Sequence, residues 1–170
     1  MKHAKAICLG ALALASAAHA DFKLDMKSPQ FRVIVPSLPQ VKMEPHPAAK
    51  EHPNLRLMGV EGPWLLTLNT PDADAGMKPQ DCANVIASAL PNRPGVPPQD
   101  QIYKHKLDPN TFIAAYVAPR SHGNMQLNAH LISAVGRNCI EFHIAKVTDD
   151  KKEAESWFKS FQGAKIEATK

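Results

Sequence analysis

Over residues 126–147 two runs of alternating character, QLNAHLISAV and NCIEFHIAKV, flank the dipeptide Gly136-Arg137. The pattern predicts a β-hairpin, because Gly at the first of two loop positions suits a type II′ turn, whose twist matches that of paired strands. If Val135 faces Asn138, His130 falls opposite His143, with Glu141 two positions away on the same face. One face of the hairpin then carries Leu127, Ala129, Leu131, Val135, Ile140, Phe142 and Ile144, and the other Ile132, Ala134, Cys139, Ala145 and the histidines.

The rest of the chain supplies neighbours for this pair. Residues 101–107 and 111–118 read as another hairpin around Asp108-Pro109-Asn110, a strong turn signal. Its first strand puts Tyr103 and His105 on one side, while TFIAAYVA is apolar on both and belongs inside a sheet. Residues 55–59 and 64–69 (WLLTLN) predict two strands joined through Glu61-Gly62-Pro63. Upstream, Pro29, Pro36, Pro39, Pro45, Pro47 and Pro53 block a long helix or a central strand, so FRVIV (31–35) is expected at most at a sheet edge. Residues 41–53 have little to bury and read as an exposed connector, with His46 and His52 solvated.

Two helices are predicted. Helix one starts near Lys78 with Pro79 at its first position, where a missing N–H costs nothing, and stops at Pro91. Its stripe is Cys82, Val85, Ile86, Ala89 and Leu90. The proline segment 91–98 (PNRPGVPP) follows as an extended loop. Asp150 and Glu153 form a capping-box pair for a last helix with Ala154, Trp157, Phe158 and Phe161 on one side and Gly163 as its stop. No internal repeat is visible. The expected fold class is α+β: a largely antiparallel sheet covered by two amphipathic helices, an α/β/α sandwich.

Composition changes this picture at the N-terminus. Lys2, Lys5, the apolar run 6–18 and Ala18-His19-Ala20 have the form of a secretory signal peptide cleaved after Ala20. The expected division is a signal peptide at 1–20, a proline-rich segment at 21–54 and a single α+β domain at 55–170, exported to the periplasm or secreted. No later run approaches the roughly 20 apolar residues of a membrane span. The whole chain has 20 basic and 16 acidic residues, and removing Lys2 and Lys5 leaves a charge of +2. Its Lys and Arg are scattered without a basic stripe, which argues against nucleic acid as a partner. Cys8 would leave with the signal, and the remaining Cys82 and Cys139 form the lone pair expected of a disulfide in an exported chain. On the chain-entropy account its loop of about 56 residues contributes roughly 4 kcal/mol.

The chemistry on offer is sparse. His130, His143 and Glu141 are the candidate ligand or metal site, since directly paired residues have Cβ atoms about 5 Å apart and two imidazoles could share zinc or copper, with Glu141 or His105 as third ligand. The same residues can also simply hydrogen-bond beneath a helix. Asp72 and Asp74 lack the other ligands of a calcium loop. Ser133 and Ser121 lack the G-x-S-x-G elbow of a hydrolase nucleophile. Trp157 and Phe158 read as core. No catalytic residue and no cofactor are assigned.

The element order over residues 55–166, with a helix inserted mid-sheet and an amphipathic helix last in NCIEFHIAKVTDDKKEAESWFKSF, resembles the Mog1/PsbP-like fold. That resemblance implies a non-enzymatic interaction or assembly module. Two functions are therefore expected in order: a non-catalytic periplasmic interaction protein with a protein partner, such as a toxin-immunity protein or inhibitor or an envelope-assembly accessory, or a small-ligand or metal-binding module built on His130 and His143.

Overall fold

In a computed structural model the chain is described over residues 21–74 and 76–169; the signal-peptide expectation for residues 1–20 lies outside them. Among the described residues ten strands form two antiparallel sheets. They are β1 (Phe22–Lys27), β2 (Gln30–Val35), β3 (Glu44–Pro45), β4 (Leu55–Glu61), β5 (Trp64–Asn69), β6 (Tyr103–Lys106), β7 (Phe112–Pro119), β8 (Met125–Val135), β9 (Asn138–Thr148) and β10 (Lys165–Ala168). The large sheet has the order β3-β4-β5-β9-β8-β7-β6 and the small one β1-β2-β10.

The β8–β9 hairpin lies near the middle of the large sheet in the expected register, Val135 to Asn138 and His130 to His143. Gly136 has φ +61° and Arg137 is not among the positive-φ residues, the type II′ signature. Because the side-chain period of a strand is two, that register fixes which residues share a face.

The face carrying Leu127, Leu131, Ile140, Phe142 and Ile144 is the main core. Its cover is mixed. The small sheet contributes Phe22, Phe31, Val33 and Val35, with Phe22 stacked on Phe142 at 5.5 Å between ring centroids. The C-terminal helical turn contributes Trp157 and Phe161. Burying each such aromatic stabilises by roughly 2–3 kcal/mol. FRVIV is therefore not at an edge: β2 is the central strand of the small sheet, paired on both sides. The prolines end its strands rather than forbidding them, since Pro29 precedes and Pro36 follows β2. Val41, in the segment read as a connector, is buried in the same core, and residues 44–45 pair with β4.

Helix α1 (Pro79–Ala89) covers the opposite face. Asp81 accepts a hydrogen bond from the Lys78 backbone N–H at 2.9 Å, closing the N-terminus that Pro79 opens. The buried stripe is Cys82, Ala83, Ile86 and Ala87, rotated from the expected one, and Val85 points outward. Cys82 and Cys139 are disulfide-bonded, with Cα atoms 5.5 Å apart.

Helix α2 (Lys151–Ser156) is capped by Asp150, which accepts from Lys152 N–H. Glu153 does not complete the capping box; it pairs with Lys146. From Trp157 to Phe161 the helix tightens to 3₁₀ geometry. After Gly163 the chain enters β10, a strand that the KIEA tetrapeptide did not announce. The result is an α+β fold with a large antiparallel sheet and two helices, as expected, plus a second sheet.

Candidate functional site

Glu141 sits at the centre of the helix-covered face, between Asn69 on β5 and Ile132 on β8. It is 2% exposed. Arg93 donates Nη1–H to Oε1 at 2.7 Å and Nη2–H to Oε2 at 3.1 Å. Asn69 Nδ2 donates to Oε2 at 3.0 Å, and His130 Nδ1 lies 2.8 Å from Oε1. An ionised carboxylate only accepts, so His130 Nδ1 carries the hydrogen. Burial alone would push the Glu141 carboxyl up, but the hydrogen bond and field of His130, then those of Arg93, outweigh it and hold the group well below the usual carboxylate range.

The two histidines are together as the register requires. Their rings are stacked with centroids 4.3 Å apart and planes 8° from parallel, and Tyr116 extends the stack on the His130 side at 5.8 Å. Asn128 donates Nδ2–H to the Gln126 carbonyl at 3.0 Å, which fixes its Oδ1 as the acceptor facing His143 Nε2 at 3.1 Å. Burial lowers the His143 pKa to about 3, with the positive potential of the His130 ring adding to the shift and Glu141 partly opposing it. His143 is neutral at pH 7. His130 Nε2 and Asn69 Oδ1 are buried without a hydrogen-bond partner among the described residues.

This geometry does not converge on a metal ion. A metal lies in the plane of each imidazole about 2.1 Å from its nitrogen. Two stacked, nearly parallel rings direct their lone pairs along separate planes. Glu141 has both oxygens committed, and His105 is on the other face of the sheet, because it pairs with Ile113 of the main core. Among the described residues no group of three or more His, Cys, Asp or Glu could hold a metal.

The remaining sequence candidates are dispersed. Ser133 is buried and donates to the Asn110 carbonyl at 2.7 Å. Ser121 is exposed in a 3₁₀ turn. Asp72 bridges to Asn138 beside β9, and His46 Nδ1 accepts from Ala48 N–H at 3.1 Å. Trp157 is buried in the core, whereas Phe158 is half-buried and stacks on Tyr103 at 4.6 Å. The residue missed from sequence is Arg93. Its signal was its position as the lone charge in PNRPGVPP.

No protein-family model and no curated protein matches the chain. Among solved structures, the solution structure of cyanobacterial PsbP (CyanoP) from Synechocystis sp. PCC 6803 superposes with a TM-score of 0.55 at 10% identity, over 95% of this chain and 99% of that one. The chain has a PsbP-like fold. A crystal structure from Bacteroides thetaiotaomicron VPI-5482 superposes with a TM-score of 0.48 at 10% identity over 82% of this chain, which spans 45% of that structure's length. Identity this low conveys fold and not activity.

Within the PsbP-like frame, α1 covers only the β7-β8-β9 side of its face. Toward β4 and β5 the same face is open, and there Val60 is 61% and Val147 44% exposed beside the partly buried Leu65. No described helix is long and apolar enough to cross a membrane.

Proposed function

We propose that this chain is a non-catalytic interaction protein of the bacterial periplasm, acting as a toxin-immunity or inhibitor protein or as an accessory to envelope assembly. The observation that supports this most is the state of Glu141. A carboxylate that accepts from Arg93, Asn69 and His130 and is sealed from solvent holds the loop 91–98 against the sheet. It neither exchanges a proton near neutral pH nor offers a lone pair to a ligand. The polar cluster is thus a brace for surfaces that face outward, among them the open strip with Val60 and Val147. A contiguous apolar strip on a rigid sheet is the kind of surface protein partners cover.

The test is site-specific photo-crosslinking in the source bacterium from Val60 and Val147. The expected result is one discrete protein adduct, lost when the neighbouring strip residue is changed to Lys. Cross-linking to no discrete species from either position overturns the reading. The alternative, a metal or small-ligand module using His130 and His143, has no comparable support in the stacked geometry.

A further inference from the structure

The large sheet has an unfilled edge. In the β8–β9 hairpin the odd-numbered residues of β8 exchange hydrogen bonds with β9, because Val135 and Asn138 close the turn, so the even-numbered ones bond to β7. The even-numbered residues of β7 therefore bond inward, and the odd-numbered ones turn their N–H and C=O toward β6. Leu107 N–H to Thr111 C=O at 2.9 Å fits this alternation. The β6 ladder ends at Tyr103 opposite Ala115, since residues 99–101 leave the sheet as a 3₁₀ turn. Val117 is next in line, 37% exposed, with its N–H and C=O directed at the vacated position.

Beside that position, with Gln101 turned out of the ladder into its wall, lies a cleft of about 310 Å³ lined by Gln101, Tyr103, Val117, Ala154, Trp157 and Phe158. A residue placed directly opposite Val117 would share its face and project its side chain into this cleft. The other edges are guarded against strand addition: β6 by Lys104 and Lys106, β3 by Glu44 and Pro45, β1 and β10 by lysines and acids. Tyr116, Val117 and Ala118 carry no such charge.

We propose that the outer edge of β7 at Val117 accepts an extended peptide segment of a partner protein, with one bulky apolar side chain seated in the adjoining cleft. The proposal rests on the interaction-protein reading and specifies the partner's chemistry. Main-chain bonds to Val117 supply affinity, and the cleft selects the residue. Pro119, which has no N–H, limits the docked stretch to a few residues.

The test is selection of random nonapeptides displayed on phage against the purified chain. Selected peptides are expected to share one bulky apolar residue, and to lose at least tenfold in affinity when its backbone amide is N-methylated. The same loss is expected on Val117→Pro, which removes the outward N–H without taking a bond from the β8 ladder, and on Ala154→Trp, which fills the cleft, while Val117→Ala, which trims the side chain and keeps the N–H, is expected to cost less than Val117→Pro. Binders weakened by Ala154→Trp but indifferent to Val117→Pro and to N-methylation would make this a small apolar-ligand pocket and overturn the proposal. So would a selection yielding no binder that either variant weakens, or a concentration-dependent dimer lost in Val117→Pro, which would make the occupant a second copy. If cross-linking from Val60 or Val147 succeeds while this selection fails, only the strand edge is abandoned.

Discussion

Arg93 and Glu141 meet across 48 positions of sequence, the guanidinium laid along the carboxylate so that each oxygen takes one of its N–H groups. The pair ties the proline loop after α1 to the middle of the large sheet, beside the disulfide that ties α1 itself. Arg93→Met should leave Glu141 buried with only Asn69 and His130, costing about 2–3 kcal/mol. Glu141→Gln should cost a similar amount. In urea titrations of both single variants and the double, the double is expected to lose less than the sum. Strict additivity would mean that the pair contributes no coupling.

Acid should weaken the fold in two steps of the same sign. The His143 pKa is lowered from 6.5 to about 3 in the folded chain. Between those values the unfolded chain binds the proton and the folded one does not, so stability falls as pH drops, by up to about 1.4 kcal/mol per pH unit. Glu141, whose folded pKa lies below the ordinary 4.5, adds a second loss below that pH. Its stabilisation is present above the unfolded value and is lost as pH falls toward the folded one. Denaturation midpoints between pH 7 and 5 should fall in the wild type and flatten in His143→Gln.

Removing the covalent tie should be costly. Cys82→Ala with Cys139→Ala is expected to lose about 4 kcal/mol on the chain-entropy account. For a domain of this size that is a fall of roughly 10 °C in Tm. Scanning calorimetry with and without reductant checks it, since reductant should lower the wild-type Tm and leave the variant unmoved.

The N-terminal strands should behave as core. Phe31 is fully buried between the sheets, so Phe31→Ala is expected to cost about 3–5 kcal/mol. If residues 21–54 were a dispensable segment, the same change would leave the urea midpoint within a few tenths of a kcal/mol of wild type.

Gly59 tests the crossing of residues 41–43 over β4. A Cβ there would lie 2.6 Å from the Lys42 carbonyl oxygen and 2.8 Å from Met43 Sδ. Because the closest atom is backbone, Gly59→Ala should cost about 1–3 kcal/mol. A neutral result in thermal melts would mean that the crossing segment shifts freely.

What could be read in advance was local or covalent. Gly136-Arg137 sets a two-residue turn, and the turn sets the whole β8–β9 register, so the pairing of His130 with His143 followed from four residues. The cysteine pair needed only arithmetic and a compartment. Arg93 was hidden because nothing in PNRPGVPP records what its guanidinium faces 48 positions later. The small sheet was hidden for a similar reason. Its central strand is flanked by prolines and its third strand is only Lys165–Ala168, and each becomes a strand through partners at the other end of the chain. The helix stripe was rotated because Val85 and Ala89 complete an apolar spacing with Cys82, Ile86 and Leu90 as well as Ala83 and Ala87 do, and the small Ala83 and Ala87 are the ones that face the sheet while Val85 is left outside.

That small sheet joins the two extremes of the described sequence. Strand β2 takes β1 on one side and Lys165–Ala168 on the other, and Ile166 N–H closes onto Thr111 Oγ1 at 2.9 Å. The layer that sets Phe22 and Phe31 against the core around Phe142 thus draws on residues from both extremes of the described sequence. Loss of Lys165–Ala168 would therefore strip β2 of one partner and loosen a layer whose other strand lies at the opposite extreme of the sequence.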